Sequence, residues 1–151
     1  MERKCGVEGC LEKYYLKGLC QKHYCRRKNG RREDRSIRDR NKYEIEGDIC
    51  TISLYDIKCN KIAETIIDAE DYEKCKPYKW HCTVDSGGST RVASSKAGSL
   101  PSVVLGFIPT HYIIGDHING DTLDNRKSNL QIITQGQNTI KQKMARNNLS
   151  G

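Results

Sequence analysis

The feature that most constrains the fold is a long polar loop between two short apolar runs near the C-terminus. The runs 112–114 and 130–133 are too short for buried helices and predict two strands. The loop between them, 116–129, is rich in Asn, Asp and Gly, which form tight turns. Residues 135–146 then predict a helix with Thr134 as its N-cap. This part of the chain is therefore predicted as strand, loop, strand and helix.

Four polar residues of this segment have the chemistry of a one-metal phosphodiester hydrolase. Asp116 offers a hard anionic ligand, and His117 offers an imidazole, a group that can act as a general base at neutral pH. Asn129 follows twelve residues after the histidine, and Asn138 follows nine residues later. A strand turns successive side chains to opposite faces, so the base and the carboxylate are separated, with room for a phosphate between them. Asn138, early in the helix, can offer its carbonyl oxygen to the same cation.

The other polar residues of the loop are interpreted as turn formers, namely Asn119-Gly120 and Asp124-Asn125. The Asn129 amide is expected to bond the loop backbone and to fix the orientation of the histidine. One alternative is an Asx-rich loop with an incidental histidine. A calcium loop of EF-hand type would need an oxygen ligand two residues after Asp116, where the chain has Ile118.

The first 25 residues are rich in cysteine and poor in long apolar side chains. Four potential ligands lie within nineteen residues, and zinc binds such thiolates and imidazoles tetrahedrally. They are Cys5, Cys10, Cys20 and His23. The spacing of the last two suits the start of a helix. So small an apolar content requires a metal to fold, and the segment predicts a structural zinc knuckle. Cys25 is an alternative to His23, and free cysteines are the alternative to a metal.

The remaining cysteines do not form paired knuckles. The chain has eight cysteines and no apolar secretory signal after its first residues, which argues against a disulfide framework. We expect four of them to be buried free thiols rather than ligands of a second zinc. These are Cys50, Cys59, Cys75 and Cys82.

The positive charge is concentrated at the N-terminal end. Residues 1–43 contain 14 Lys or Arg and 6 Asp or Glu, whereas the remainder contains 12 and 13. Such a field attracts phosphate backbones whatever their sequence. The connector 26–42 is predicted to contact nucleic acid, with a solvated linker as the alternative. The predicted contact residues are Arg26, Arg27, Lys28, Arg31, Arg32, Arg35 and Arg38.

Between the connector and the polar loop, residues 43–111 are predicted as a β-rich region with a short helix. Asp68 and its acidic neighbours predict a helix N-cap, and Pro77 ends that helix. The run 103–107 is compatible with helix or strand. The predicted elements are strands at 48–55 and 62–67, a helix at 68–74, and a hairpin of 79–84 and 90–94 around the turn 85–88.

The segment 116–130 reads Asp-His-Ile-Asn-Gly-Asp-x-Leu-Asp-Asn-Arg-x-Ser-Asn-Leu and resembles the phage and homing-type HNH endonucleases. The resemblance implies a ββα-metal fold with His117 as general base, Asp116 and Asn138 as Mg²⁺ (or Mn²⁺) ligands, and Asn129 as the loop-positioning asparagine. It extends more weakly to 67–72 and 78–80, and some relatives carry a similar N-terminal knuckle. The Leu-His-Arg common in relatives is replaced here by Leu100-Pro101-Ser102.

Together these observations predict an α+β chain, in which a ββα-metal nuclease core follows a small β-rich region and an N-terminal zinc-binding knuckle. The predicted segments are a knuckle at 1–25, a basic connector at 26–42, a β-rich region at 43–111, a nuclease core at 112–147 and a tail at 148–151. The tail resembles the start of a further DNA-binding module, so we expect a chain shortened there or one that has lost that module.

The predicted function is metal-dependent cleavage of double-stranded DNA, as nicks or as double-strand breaks. The alternatives are a non-catalytic DNA-binding regulator on a decayed nuclease fold, and an RNase. The chain contains no apolar stretch long enough to span a membrane, so no membrane partner is expected. We expect a cytoplasmic monomer or homodimer, the product of a phage, prophage or mobile element.

Overall fold

The chain has a mixed α+β fold with small antiparallel sheets. This computed structural model describes residues 3–32, 35–84 and 90–147, with side chains as far as Lys141. It divides into two compact units, Met1–Arg40 with Tyr55–Ile62, and Asn41–Leu54 with Ala63–Gly151. The sequence-derived boundaries stay predictions, and the tail at 148–151 lies outside the described residues. Within the described ranges, no helix combines the length and apolar content needed to cross a bilayer.

The first unit contains the knuckle and one helix, α1 (Gln21–Lys28). Two isolated bridges, Lys4 with Lys13 and Leu16 with Leu19, shape the turns before α1. The buried apolar residues of the knuckle are few, namely Cys5, Leu19 and Cys20. α1 begins directly after Cys20, which confirms the helix start predicted there. The connector after Lys28 has no helix or strand in its described part.

The first sheet has three strands in the order β1 (Tyr43–Glu46), β2 (Ile49–Tyr55) and β3 (Lys61–Asp68). The predictions of β2 and β3 are confirmed. β1 was not among the predicted strands, and its alternating charged residues leave it mostly exposed. β1 is held by its antiparallel register with β2, in which Tyr43 pairs with Ile52.

The helix predicted at 68–74 is shorter and begins differently. A 3-10 turn, Ala69–Asp71, leads into a single turn of α2 (Tyr72–Cys75). Asp68 precedes this turn, but its side chain makes no capping hydrogen bond. The Asp68 Oδ2 instead accepts a hydrogen bond from the backbone N–H of Lys127 at 2.7 Å. Asp68 is thus at the N-cap position predicted for it, with Glu70 and Asp71 in the first turn, but a tertiary partner has replaced the local capping bond.

The second sheet has the order β4 (His81–Val84), β5 (Thr90–Ser94) and β6 (Gly98–Ser99). The predicted hairpin strands are confirmed, and the turn predicted at 85–88 lies outside the described residues. The run left open at 103–107 belongs mostly to a helix, α3 (Leu100–Leu105). Ser99 caps its start by accepting from Ser102 N at 3.4 Å. Gly106, at φ 70°, ends it in the left-handed conformation.

The C-terminal elements follow the predicted order, with β7 (Ile113–His117) paired antiparallel to β8 (Leu130–Thr134) and followed by α4 (Gln135–Asn147). The predicted N-cap at Thr134 is confirmed as a reciprocal capping box. Its Oγ1 accepts from Gln137 N at 3.2 Å, and its own N–H donates to the Gln137 Oε1 at 2.8 Å. This cap fixes the direction in which α4 leaves β8.

The core of the second unit is built around Trp80, whose Nε1 donates to the Cys75 carbonyl at 3.0 Å. Its other fully or nearly buried members are Cys50, Ile52, Leu54, Ile67, Cys75, Val92, Leu100, Val104 and Leu130. None of the eight cysteines forms a disulfide, and Cys50, Cys59 and Cys75 are buried as predicted, with Cys82 half-buried. Burial is the main cause that raises the pKa of the Cys75 thiol to about 12, and the nearby acidic groups of Asp71 and Cys50 contribute less. Cys75 therefore stays a neutral core residue at physiological pH.

Gly115, in the middle of β7, is predicted to tolerate no side chain. A Cβ there would lie 2.9 Å from the Pro101 Cβ and 3.6 Å from the Phe107 ring. Because the proline ring cannot turn aside, Gly115→Ala should lower the free energy of unfolding by about 1–3 kcal/mol, the usual cost of overpacking. Urea unfolding followed by Trp80 fluorescence measures this. Gly136→Ala is the matched control, since its Cβ would find only the Thr134 Oγ1, at 3.9 Å. Equal stability of both variants would contradict the prediction.

Candidate active site and metal centre

The polar loop between β7 and β8 is docked on the backbone of β3. Ile66 N donates to the Leu123 carbonyl at 3.0 Å, and Asn125 N donates to the Ile66 carbonyl at 2.8 Å. The Thr65 hydroxyl adds a bond to the Leu123 carbonyl at 2.7 Å. The loop therefore extends the first sheet by a short parallel bridge between Ile66 and Asp124. Its position depends on a strand some sixty residues earlier in the sequence, which holds the site rigid.

The predicted turn chemistry of the loop is present. The Asn119 side chain accepts from Asp121 N at 2.7 Å, and the Asp121 side chain accepts from Leu123 N at 2.9 Å. These are two successive Asx turns, and Gly120 between them has φ 82°. Asp124 is buried and paired with Arg126 through both carboxylate oxygens, at 2.8 and 2.7 Å. The hydrogen bonds from the Arg126 side chain are the main reason that the pKa of the Asp124 carboxyl is below its usual value.

The candidate base, His117, is the last residue of β7 and is half-buried. Its Nε2 lies 3.0 Å from the Asn125 Oδ1. Its backbone carbonyl accepts from the Lys141 Nζ at 2.7 Å. One ring nitrogen is thus held by the loop, and the described residues supply no partner for the other, Nδ1.

The side chain of the candidate metal ligand, Asp116, has different hydrogen-bond partners from the His117 ring, as expected for adjacent strand residues. Its Oδ2 accepts from the Gln131 Nε2 at 2.8 Å and from the Lys141 Nζ at 2.7 Å. Gln131 is its cross-strand partner on β8, and Lys141 is on α4. Partial burial raises the pKa of Asp116, but the hydrogen bonds from Lys141 and Gln131 outweigh it and hold that pKa below its usual range. Asp116 is therefore an ionised carboxylate at neutral pH.

Asn129 bonds the loop backbone, as its predicted role requires. Its Oδ1 accepts from Asn119 N at 3.0 Å, and its Nδ2 donates to the Asp124 carbonyl at 2.8 Å. The side chain is buried, so these bonds close the loop without competition from water. The hydrogen-bond partner of the imidazole, however, is the Asn125 Oδ1 and not Asn129.

Asn138 is half-buried in the second turn of α4. Residues three apart lie on one face of a helix, so Asn138 shares its face with Lys141. Because Lys141 reaches Asp116, this face of α4 is the one turned to the end of β7. The structure thus brings Asp116, His117 and the loop closed by Asn129 to one end of β7, where Lys141, three residues after Asn138, is the α4 side chain that contacts Asp116.

Four residues around this site were not identified from the sequence as functional neighbours. Asn125 was interpreted only as a turn former, and the others were not considered. They are Thr65, Asn125, Gln131 and Lys141. Gln131 could have been found from the sequence by pairing the two predicted strands, which places it opposite Asp116. Lys141 could have been found from its spacing, because it lies three residues after Asn138 on the predicted helix. Thr65 and Asn125 meet through tertiary packing, for which the sequence contains no local signal.

The ligand atoms of the knuckle residues all lie within 4.8 Å of one another, and they are Cys5, Cys10, Cys20 and His23. The His23 Nδ1 is 3.3 Å from both the Cys5 Sγ and the Cys20 Sγ. The Cys10 and Cys20 sulfurs are 4.0 Å apart. Tetrahedral zinc requires S–S separations of about 3.8 Å and S–N separations of about 3.5 Å. The cluster therefore fits a metal ion such as zinc, and among the described residues it is the one His, Cys, Asp and Glu group with this geometry.

The backbone of the knuckle is folded so that the ligands converge. Gly6 N donates to the Gly18 carbonyl at 2.8 Å, and Gly18 itself has φ 80°. Burial raises the pKa of Cys5, but hydrogen bonds from the Val7 and Cys20 backbone and from His23 lower it to about 6. This thiol is therefore largely thiolate at neutral pH, the form that binds metal.

A cationic cleft of about 510 Å³ adjoins the knuckle within the first unit. It is lined by four basic side chains, Lys17, Arg27, Arg31 and Arg32, together with Gly6, Val7, Gly18 and Leu19. The three arginines of this cleft were all predicted to contact nucleic acid. They are exposed, and so are two other residues with that prediction, Lys28 and Arg38.

Arg26 and Arg35, two further predicted nucleic-acid residues, are half-buried. The Arg35 guanidinium stacks 3.6 Å above the Tyr55 ring and also donates to the Arg40 carbonyl. Arg26 is half-buried and lines a second hollow with Lys22, His23 and Asp39. Arg35 thus helps to hold the connector in place.

Comparisons with family models, with curated proteins and with solved structures found no match for this chain.

Proposed function

We propose that this chain is a divalent-metal-dependent endonuclease acting on double-stranded DNA, with a catalytic region of the ββα-metal (HNH) type. The observation that carries the proposal is the geometry around the end of β7. The His117 ring lies against the docked loop, while the Asp116 carboxylate is bonded by Lys141, which is three residues after Asn138 on α4. A base and a hard anionic ligand thus belong to adjacent residues whose side chains have different partners. The strand, loop, strand and helix order agrees with such a fold.

In this proposal His117 removes the proton from the attacking water. An imidazole has the right pKa for proton transfer near neutral pH. The loop and β3 hold the ring so that it need not reorganise when substrate binds, which keeps the entropic cost of the reaction low. Asn129 acts through the loop, because its amide closes the turn that follows His117.

The donor set at Asp116 suits Mg²⁺ or Mn²⁺. Mg²⁺ prefers oxygen ligands and commonly binds through one or two protein groups, with water and phosphate oxygens in the remaining positions. The ionised Asp116 and the Asn138 carbonyl are such groups. When bound, the cation supplies charge stabilisation for the pentacoordinate phosphorus and for the leaving 3′ oxygen.

The N-terminal unit is proposed as a structural zinc knuckle that contacts the DNA backbone. The Cys and His cluster has the geometry that zinc requires. The adjoining cleft, with four basic side chains, suits phosphate groups, and this attraction does not depend on base sequence. The nuclease region and the DNA-contacting region are thus on different units of the chain.

A second candidate is a DNA-binding protein without nuclease activity. One observation favours it: the Lys141 ammonium is 2.7 Å from the Asp116 carboxylate, which it neutralises. Mg²⁺ must then compete with this lysine or use the other carboxylate oxygen. An RNase built on the same site is the further alternative, since RNA offers the same phosphodiester.

The decisive experiment incubates the zinc-loaded protein with supercoiled plasmid or with structured RNA, with and without added Mg²⁺. Omitting Mg²⁺ is preferable to adding a chelator, because a chelator would also remove knuckle zinc. We expect nicked plasmid with 5′-phosphate ends only when Mg²⁺ is present. Plasmid binding without nicking would instead support the regulator, and cleavage confined to RNA would support the RNase.

A further inference from the structure

Asn125 is fully buried and forms the link between β3 and the imidazole of His117. Its side chain has no exposed surface, and its Oδ1 is 3.0 Å from the His117 Nε2. Its Nδ2 lies 2.8 Å from the Thr65 Oγ1 and 3.1 Å from the Thr122 carbonyl. All hydrogen-bonding atoms of this amide therefore have partners, and water is excluded from them.

Two backbone carbonyls, which can only accept, determine the direction of each hydrogen bond between Thr65, Asn125 and His117. A backbone carbonyl has no proton, so the Thr65 hydroxyl must donate to the Leu123 carbonyl, 2.7 Å away. The Thr65 oxygen then accepts from Asn125. The Thr122 carbonyl likewise requires a donor, which again must be the Asn125 NH₂ group. The amide cannot be turned over, and its carbonyl oxygen faces His117.

A carbonyl oxygen facing the ring determines which nitrogen of neutral His117 carries the proton. The Asn125 Oδ1 can only accept, so the Nε2 must donate. The other nitrogen, Nδ1, is then unprotonated and available to accept a proton. The same bond also fixes the plane of the ring.

We propose that Asn125 is a positioning residue that holds neutral His117 as its Nε2–H tautomer, with Thr65 as the group that orients Asn125. This inference rests on the proposed function for its catalytic meaning, because Nδ1 would be the atom that takes the proton from water. The tautomer itself is a property of the resting protein. It can therefore be measured whether or not the chain cuts DNA.

The test is ¹⁵N–¹H correlation spectroscopy of the histidine rings in the full, zinc-loaded chain, at a pH at which the imidazoles are neutral. The wild type should show the Nε2–H tautomer alone for His117. Asn125→Ala should give a mixture of tautomers, with kcat for nicking lowered about 10–100-fold and KM little changed, the size of effect typical of losing a group that orients a functional histidine.

A matched pair at Thr65 guards against a variant that fails to fold. Thr65→Ser keeps the hydroxyl and should retain the wild-type tautomer, whereas Thr65→Val removes it and should give the mixture. A wild-type spectrum with Nδ1–H, or an unchanged spectrum in both Asn125→Ala and Thr65→Val, would overturn the proposal. The third outcome is a protein that does not nick DNA but whose His117 has a single tautomer that these variants disturb. This outcome would support the positioning role of Asn125 and reject only the nuclease function.

Discussion

His117→Ala should reduce Mg²⁺-dependent nicking of supercoiled plasmid by about 10²–10⁴-fold, the usual contribution of a general base. The imidazole is held by the loop through Nε2, and its other nitrogen, Nδ1, has no partner among the described residues. Loss of this side chain leaves Asp116 and its partners Gln131 and Lys141 in place, so binding of plasmid should be preserved. The measurement is the initial nicking rate at saturating Mg²⁺, with DNA binding followed separately by fluorescence anisotropy.

The matched control for this variant is His111→Ala. His111 lies shortly before β7 and is exposed, and its ring contacts only that of Tyr112 among the described side chains, at 5.2 Å between centroids. It should nick like the wild type. If His117→Ala also nicks at the wild-type rate, then either the base is another group or the activity belongs to a contaminating nuclease.

The local parts of the candidate site could be predicted from the sequence. The strands β7 and β8 and the helix α4 are specified by short apolar runs and by the Thr134 cap, all of which act within a few residues. The knuckle ligands likewise lie within one short segment. In such cases residue spacing alone determines which side chains can meet.

The remainder depends on tertiary partners that have no local signature. Asp68 has the sequence of a helix cap, but its carboxylate binds Lys127 N, 59 residues away. Asn125 has the sequence of a turn residue, but its side chain joins Thr65, 60 residues earlier, to the imidazole. A single sequence gives the turn propensity of such a residue but not the strand against which the turn packs. The same limit explains why β1 was missed.

Asp116 shows how the two kinds of information combine. Its position beside His117 is enough to suggest a metal ligand, whereas its ion pair with Lys141 became visible only in the structure. This lysine gives the regulator hypothesis its physical basis. Mg²⁺ dependence measured at several Mg²⁺ concentrations will therefore report on the competition between the cation and the ammonium group.

Cys10→Ala should abolish stoichiometric zinc binding and unfold the knuckle. The Cys10 Sγ is one of four ligand atoms that lie within 4.8 Å of one another. A four-ligand site of this kind supplies an apparent free energy of about 10–16 kcal/mol. The few buried apolar side chains of the knuckle supply about 1.5–3 kcal/mol each and cannot replace it. Zinc content by elemental analysis, and limited proteolysis between residues 1 and 28, measure the two effects.

Cys25→Ala is the matched control, because Cys25 is an exposed free thiol on α1 outside the ligand cluster. It should keep one zinc per chain and resist proteolysis. The two variants also separate the functions of the units, since the cationic cleft beside the knuckle should be lost in Cys10→Ala, with weaker and less salt-dependent DNA binding. Normal zinc content in Cys10→Ala would refute its ligand role, and loss of zinc in Cys25→Ala would assign the fourth ligand to that cysteine instead.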